Sequence, residues 1–328
     1  MLIDWVPPDD WPLLLELRRR FQAVSVEAAP AAGGFNSRLE KLLFLWRVYV
    51  LSTTRAFFKY PNVELVYAWQ PVLGLLYAFY CRLFFRRRVK IAVSHLIVPF
   101  RAGLVTKFKS LFIRFCLRRV HLIIVSSSVE VDKFAGYFHL PSKKICCNPL
   151  GIDPPKAEPH RGDYIFSGGR SNRDYRTFCT AVDGLKSPVQ IIAQKFNLEH
   201  VAVPPNVTVR YGLFGEAFDR ALADCRFAVI PLDRPEESSG QLVLLAAMYL
   251  GKAVIITDNK AVHDYVQDGQ TALLVPPHDP SAMRAAIERL LNDEALAQRV
   301  GAAARRRVLD HFLFETTMKR LVAYLTAL

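Results

Sequence analysis

The chain has 328 residues, of which 52% are hydrophobic, so its composition excludes an intrinsically disordered protein and predicts about two domains with buried cores. Its six cysteines include no Cys-x-x-Cys spacing, which argues against a structural metal site and favours a reducing compartment. The formal net charge of +13 lies entirely in residues 1–150, and this basic half predicts an anionic partner such as lipid, nucleic acid or an acidic polymer.

The first half of the chain alternates strand and helix patterns, which is typical of a parallel α/β sheet. Strands are predicted at Leu2–Val6, Ala23–Glu27, Val63–Trp69, Lys90–Ser94, His121–Ser126 and Lys144–Asn148. Helices are predicted at Trp11–Phe21, Arg38–Phe58, Val72–Phe85, Ala102–Arg119 and Val129–Phe138. The opening segment is acidic and rich in proline, so we expect no signal peptide in it.

Two of these helices raise the question of a membrane. The predicted helix Val72–Phe85 is apolar but spans only about 21 Å at 1.5 Å per residue. A bilayer core is roughly 30 Å thick, so this helix is not expected to cross it.

The segment Ala102–Arg119 predicts an amphipathic helix instead. One face is basic or polar and comprises Lys107, Ser110, Arg114 and Arg118. Another face is apolar and comprises Leu104, Phe108, Leu111, Phe112 and Phe115. Either the apolar face packs into a core, or it rests on a membrane surface. The charge of the whole half favours the membrane.

The second half predicts another α/β domain after a proline-rich linker at residues 154–163. Its predicted strands are Tyr164–Ser167, Val189–Ala193, Thr208–Tyr211, Phe227–Leu232 and Ala253–Thr257. Its predicted helices are Glu216–Ala223, a helix between Gly240 and Gly251, Met283–Leu291, Glu294–Val308 and His311–Thr326. Lys195 and Lys252 are expected to be solvated charges.

Two turns of this domain have residues suited to a phosphate. Gly169 permits a ligand to approach the backbone closely, and Arg170 and Arg173 can each form two bonds to an anion. The polar run from Ser238 to Gln241 precedes a helix, whose N-terminal amides attract anions. The alternatives are a surface turn with solvated arginines and an ordinary turn with a serine N-cap.

Three segments carry a resemblance to a known family. They are Asn148–Asp153, Pro235–Thr257 with its Gly-Gln and Leu-Leu-x-Ala-Met elements, and Val266–Pro277 with its Asp-Gly and Leu-Val-Pro elements. Together they resemble the retaining glycosyltransferases of group 1, family 4. The resemblance implies the GT-B fold, in which two doubly wound Rossmann-like domains face a central cleft. It also implies an acceptor- and membrane-facing domain at residues 1–153, a nucleotide-sugar domain at 164–310, and a terminal helix at 311–328 that crosses back.

The resemblance implies transfer of a sugar from a nucleotide-sugar donor with retention. The basic, apolar first half predicts a lipid-linked or cell-envelope glycan as acceptor. Cations and helix N-termini aimed at the departing diphosphate make a metal unnecessary, so no metal or other cofactor is expected. His95 and Glu237 are the implied catalytic residues. The implied donor-binding residues are Gly169, Arg170, Arg173, Ser238, Ser239, Gly240 and Gln241. We expect a cytoplasmic protein, peripheral on the inner face of the cell membrane, with an anionic membrane surface as partner and no nucleic acid.

One departure from the family concerns its paired glutamates. Ser238 and Ala246 stand where the family usually carries two glutamates, and Glu237 is one position from the first. An inactive protein that binds nucleotide or glycan therefore stays open, as does a sugar-nucleotide epimerase of the same fold.

Overall fold

The computed structural model describes residues 1–3, 6–28, 38–96, 104–234 and 236–328, with backbone alone for 38–42 and 104–107. The chain forms two compact units. The first comprises Met1–Asn148 together with Met318–Leu328, and the second comprises Pro149–Thr317.

The first unit is a parallel six-stranded sheet flanked by helices. Its strands are β1 (Leu2–Ile3), β2 (Glu27–Ala28), β3 (Leu65–Ala68), β4 (Lys90–Ser94), β5 (Leu122–Val125) and β6 (Ile145–Cys147). Its helices are α1 (Pro12–Arg20), α2 (Arg38–Lys59), α3 (Pro71–Leu83), α4 (Leu104–Leu117) and α5 (Ser128–Phe138). The strands lie in the order β2-β1-β3-β4-β5-β6.

The second strand differs from its prediction. The run Ala23–Glu27 was expected to pair along its length, but pairing starts only at Glu27, opposite Leu2, and β2 has two residues. The side chains of residues 22–26 are exposed or half-buried, so no core holds them in a ladder. The β-branched residues there favour a strand, but they lack the side-chain packing that stabilises one.

The second unit is also a parallel six-stranded sheet with helices on both faces. Its strands are β7 (Ile165–Gly168), β8 (Val189–Ala193), β9 (Val207–Tyr211), β10 (Phe227–Ile230), β11 (Val254–Thr257) and β12 (Leu273–Val275). Its helices are α6 (Tyr175–Val182), α7 (Glu216–Ala223), α8 (Gln241–Tyr249), α9 (Pro280–Asn292) and α10 (Glu294–His311). The last helix, α11 (Phe314–Thr326), starts in the second unit and ends in the first.

Alternation along each strand fills two cores in the second unit. Ile230 and Ile256 belong to the core beneath α7 and α8, whereas Val229 and Ile255 belong to the core beneath α6 and α9. Successive side chains of a strand point to opposite faces, so an uninterrupted apolar strand is what a sheet covered on both sides requires.

Helix α6 was not predicted, although its start is marked in the sequence. Asp174 caps the helix by accepting the Thr177 backbone N–H through Oδ1 at 2.9 Å. The helix has eight residues and six of them are buried, so the short apolar run resembles a strand as much as a helix.

Lys252 is buried, which contradicts the expectation that it is solvated. Its ammonium donates to the carbonyl oxygens of His160 at 2.7 Å and Cys225 at 2.6 Å. The prediction was wrong because these acceptors lie far away in the sequence. Lys195 is exposed, as expected. Within the described parts of the chain, no helix combines the length and hydropathy that a membrane crossing requires.

Candidate functional site

Two loops of the second unit meet where its strand order reverses. The sheet runs β12-β11-β10-β7-β8-β9, so β7 and β10 are neighbours although two strands separate them in the chain. Residues 169–174 follow β7, and residues 231–240 follow β10. The crevice at such a reversal, outside the carboxyl ends of the strands, is where open α/β sheets bind ligands.

Arg173 lies at the centre of these loops. Its Nε donates to the Gly168 carbonyl at 3.0 Å, and its Nη1 donates to the Ser171 carbonyl at 2.7 Å. Burial lowers the pKa of the guanidinium, which nevertheless stays charged because arginine does not deprotonate in proteins. These two bonds fix the side chain and leave N–H groups of the guanidinium for an anion.

The guanidinium packs against two glycines. A methyl group on Gly169 would come within 2.4 Å of Arg173 Nη2, and one on Gly240 would lie 3.7 Å from Nη1. Both glycines also have positive φ values, of 122° and 85°, which side chains disfavour. Arg173 therefore lies between the first turn of the domain and the start of α8.

Helix α8 begins without a side-chain cap, contrary to the serine N-cap that was an alternative. Gly240 occupies the N-cap position and has no side chain that could accept a hydrogen bond from the first turn. The first backbone N–H groups of a helix have no partner within the helix, and in α8 no N-cap side chain accepts from them. Gln241 opens the helix with only 5% of its surface exposed, and its Nε2 has no partner among the described residues. A buried amide donor without an acceptor is rare, and a ligand oxygen would satisfy it.

Asn172 joins the two loops, and the sequence analysis missed it. Its Oδ1 accepts the Arg234 backbone N–H at 2.8 Å. Its Nδ2 donates to the Arg234 carbonyl at 3.0 Å and to Ser239 Oγ at 2.7 Å. Its φ of 52° is left-handed, a conformation that asparagine tolerates better than most residues. The sequence signal for this role is an asparagine two residues after Arg170, in the turn that Gly169 begins.

Glu237 is held at the rim of the site. Its carboxylate pairs with Arg234, and both side chains are partly exposed. Its backbone carbonyl accepts a hydrogen bond from Asn259 Nδ2 at 2.8 Å. Ser238 is half-buried, and no hydrogen bond of its side chain is recorded in the described structure. The loop is thus anchored from β11 as well as from β7, with the Glu237 side chain engaged by a surface partner that a ligand can displace.

Arg170 differs from Arg173 in being exposed. Its carbonyl accepts a hydrogen bond from Asn197 Nδ2 at 2.9 Å, which fixes its backbone. No hydrogen bond or ion pair of its guanidinium is recorded in the part of the chain that is described. Among the described residues Arg170 is therefore an unpaired cation, whereas Arg173 is fixed by two hydrogen bonds.

His95 lies in the first unit, directly after β4. Its φ is 56°, and its ring meets Trp69 edge-on with centroids 4.6 Å apart. Burial lowers the pKa of its imidazole from 6.5 to about 4, so the ring is neutral at pH 7. A neutral imidazole can donate or accept a hydrogen bond but supplies no charge to a phosphate.

A second group of polar side chains lines a cavity of about 630 Å³ beside the start of α6. Asp174, Asp233 and His278 each place one potential metal ligand atom within 4.8 Å of the others. Asp174 already accepts bonds from the Thr177 backbone, from Thr177 Oγ1 at 2.5 Å and from His278 Nδ1 at 3.0 Å. Its carboxylate oxygens are therefore largely occupied, and this group ties α6 to the loop after β12.

One family model and several solved structures match this chain. A model of the family described as Glycosyl transferases group 1 matches residues 177–293, which contain the β10 loop and α8. No curated protein sequence matches the chain significantly. Among solved structures, Anabaena HepE in complex with UDP aligns with 100% of this chain and 99% of its own, at a TM-score of 0.74 and 12% identity.

The chain has the GT-B fold. Sucrose-phosphate synthase from Thermosynechococcus elongatus aligns with 92% of this chain and 82% of its own, at a TM-score of 0.71 and 18% identity. A UDP-forming α,α-trehalose-phosphate synthase from Burkholderia vietnamiensis aligns with 90% of this chain and 78% of its own, at a TM-score of 0.63 and 14% identity. The prediction of two Rossmann-like domains of GT-B type is confirmed.

The predicted donor-binding residues fall into one region of the second unit. Arg173 lies against Gly169 and Gly240, and Asn172 links Ser239 to the same turn. Gln241 follows Gly240 as the first residue of α8. Ala246 lies in the buried core on that helix, so no carboxylate replaces the second family glutamate there. The role of each residue in binding stays a prediction.

Proposed function

We propose that the protein is a glycosyltransferase that takes a sugar from a nucleotide-sugar donor. The observation that carries this proposal is the uncapped start of α8 beside Arg173, at the strand reversal of the unit that matches the Glycosyl transferases group 1 model. Gly169 and Gly240 leave room for the Arg173 guanidinium there, and Gln241 offers a buried donor that has no acceptor among the described residues. These features together fit the two phosphates of a nucleoside diphosphate.

The chemistry of transfer suits such a site. When the bond between sugar and phosphate breaks, negative charge grows on the departing diphosphate. Arg173, already oriented by two backbone carbonyls, stabilises that charge together with the α8 amides. Arg170 is free to move onto the bound donor. With these cations and amides in this role, transfer proceeds without a metal, and activity in the presence of a chelator tests that part of the proposal.

Glu237 and His95 are proposed to contact the donor outside its phosphates. Glu237 binds hydroxyl groups of the ribose or sugar after its carboxylate leaves Arg234. His95, which burial keeps neutral, hydrogen-bonds a sugar hydroxyl. We propose retention of the anomeric configuration, which product analysis by nuclear magnetic resonance tests.

The acceptor is proposed to be a lipid-linked or cell-envelope glycan at the cytoplasmic face of the membrane. The support is the location of the whole net charge of +13 in residues 1–150. UDP-sugars are the first donors to test because Anabaena HepE is known in complexes with UDP and with UDP-glucose.

One observation favours a second candidate. Ala246 and Ser238 leave the chain without the paired carboxylates of the resembling family, which fits a protein that binds a nucleotide sugar without transferring it. Release of nucleoside diphosphate from a donor by the pure protein excludes this alternative. Conversion of the donor to its epimer without an acceptor instead identifies an epimerase.

The test begins with thermal unfolding in the presence of UDP, GDP, ADP and their sugar conjugates, because a ligand of the folded state raises the melting temperature. Arg170→Ala is the informative variant, since this exposed side chain makes no hydrogen bond or ion pair with the described residues that folding would need. Arg176→Ala is its matched control, because Arg176 is also exposed but lies on α6. A shift that Arg170→Ala reduces and Arg176→Ala preserves supports the site. No shift with any nucleotide contradicts the proposal.

A further inference from the structure

Helix α4 has two apolar faces, and only one of them is buried. Ile113, Cys116 and Leu117 lie in the core of the first unit. Phe108, Leu111, Phe112 and Phe115 are instead exposed by 70%, 63%, 42% and 39% of their surfaces. We call these four side chains the outer α4 face. The alternative that they form the core side of the helix is therefore wrong.

The outer α4 face is compact. At about 100° of rotation per residue, its four side chains fall within roughly 100° of arc. Phe79 of α3 packs beside it, with ring centroids 5.7 Å from Phe112 and 6.4 Å from Phe115. The face is thus a continuous apolar surface on two neighbouring helices and not a scatter of single side chains.

The apolar surface continues along the end of α3. Leu83, Phe84 and Phe85 are all more than half exposed, and Phe58 at the end of α2 meets Phe84 with ring centroids 5.8 Å apart. Arg119 of the α4 end donates to the Arg86 carbonyl at 2.7 Å, which holds the two helix ends together.

Cations border this surface. Lys109 on α4 and Arg118 directly after it are exposed, and Arg82 lies over the Phe115 ring at 4.0 Å from its centroid. Arg87 and Arg88 are exposed directly after α3. Exposed aromatic and leucine side chains with lysines and arginines at their margin are what a helix lying in a membrane interface presents. The long basic side chains reach lipid phosphates while the apolar face enters the boundary of the acyl chains.

We propose that the outer α4 face, together with the end of α3, docks the protein on an anionic bilayer. The charge of the surrounding residues selects a lipid surface over a second copy of the chain, because two copies would bring like charges together. The inference specifies the membrane partner of the proposed function. Docking itself needs no donor, so it can be tested whether or not transfer occurs.

The experiment is flotation of the full-length protein with phosphatidylcholine vesicles, with and without phosphatidylglycerol. We expect binding that requires phosphatidylglycerol and weakens with salt. The double variant Phe108→Gln, Leu111→Gln removes the two most exposed members of the outer α4 face. Partial burial of two such side chains accounts for about a tenfold change in partition coefficient or more.

Phe196→Gln, Phe214→Gln is the matched control, because these side chains are 61% and 63% exposed but belong to the second unit. Circular dichroism verifies that both double variants fold. Loss of vesicle binding in the α4 variant alone supports the proposal. Equal binding by the α4 variant and the wild type overturns it. The proposal is also overturned if the wild type does not bind vesicles and forms a concentration-dependent dimer that only the α4 variant loses. The face would then join two copies of the chain.

Discussion

Replacing Asn172 by glycine should weaken nucleotide binding without removing any residue proposed to touch the ligand. The side chain makes three hydrogen bonds that hold the β10 loop to the β7 turn. Glycine adopts the φ of 52° without strain, so the substitution deletes the bonds and little else from the folded backbone.

The magnitude follows from those three bonds. A hydrogen bond contributes about 0.5–1.5 kcal/mol net, and the partial exposure of this side chain favours the lower value. The loss is then about 1.5 kcal/mol in the organised loop, or roughly a tenfold rise in the apparent Kd for the nucleotide. Asn172→Asp keeps the acceptor for the Arg234 N–H but loses both donors and adds a negative charge, so its effect should be larger.

Isothermal titration calorimetry with the diphosphate found in the thermal screen measures the change. Asn206→Gly is the matched control, because Asn206 Nδ2 also donates to a backbone carbonyl, that of Val182, at 2.9 Å. Asn206 lies at the amino end of the edge strand β9, away from the loops that follow β7 and β10. It should lower the free energy of unfolding and leave affinity unchanged. An Asn172→Gly protein that binds within about twofold of the wild type would refute the reasoning that this residue organises the loop.

Three other perturbations have expected outcomes. Gly240→Ala should abolish nucleotide binding and lower the free energy of unfolding by about 1–2 kcal/mol, because φ is 85° and the methyl group would lie 3.2 Å from Leu232. Gly269→Ala is its control, since φ is 68° there and the methyl group would enter open space. Chemical denaturation should show that this control loses stability alone. His95 binds a proton more weakly in the folded protein than in the unfolded chain, so its contribution to stability is lost as pH falls from 6.5 towards 4. The stability lost in this way should amount to about 2 kcal/mol between pH 7 and about pH 5. The free energy of unfolding of His95→Gln, measured with urea, should therefore depend less steeply on pH than that of the wild type. Lys252→Met leaves two carbonyls unpaired and should lower the free energy of unfolding by about 1–3 kcal/mol with nucleotide affinity unchanged.

Each of these has a contradicting result. Normal affinity in Gly240→Ala would place the ligand away from α8. An unchanged pH dependence in His95→Gln would mean that the imidazole is solvated in the folded protein. Full stability of Lys252→Met would mean that water replaces the ammonium at both carbonyls.

Local patterns were enough to predict the architecture. The alternation of strands and helices, and the polar turns after β7 and β10, depend on neighbouring residues that a single reading of the chain can compare. The strand reversal then brings Gly169, Arg173 and Gly240 together without further information. Helix α6 and strand β12 were not predicted. The eight apolar-rich residues of α6 with their Asp174 cap fit two types of element, and β12 has only three residues.

Long-range partners account for what could not be predicted. Asn172 bonds residues 62 and 67 positions away, and Lys252 bonds the carbonyl of a residue 92 positions away. Periodicity identified one apolar face of α4, which includes Phe108, Leu111 and Phe112, and did not show that the core instead covers Ile113, Cys116 and Leu117. Tertiary packing determines these partners and the buried face of α4, and a local stretch of sequence carries no information about that packing.

The membership of Met318–Leu328 in the first unit has a practical consequence for expressing that unit separately. Met318, Leu321, Val322 and Leu325 are buried, and Tyr324 Oη donates to the Cys147 carbonyl at 3.3 Å. A recombinant fragment that stops at Asn148 would expose the apolar surface that this tail covers and should aggregate. Appending the tail through a flexible linker, or supplying it as a synthetic peptide, should restore a monodisperse fragment.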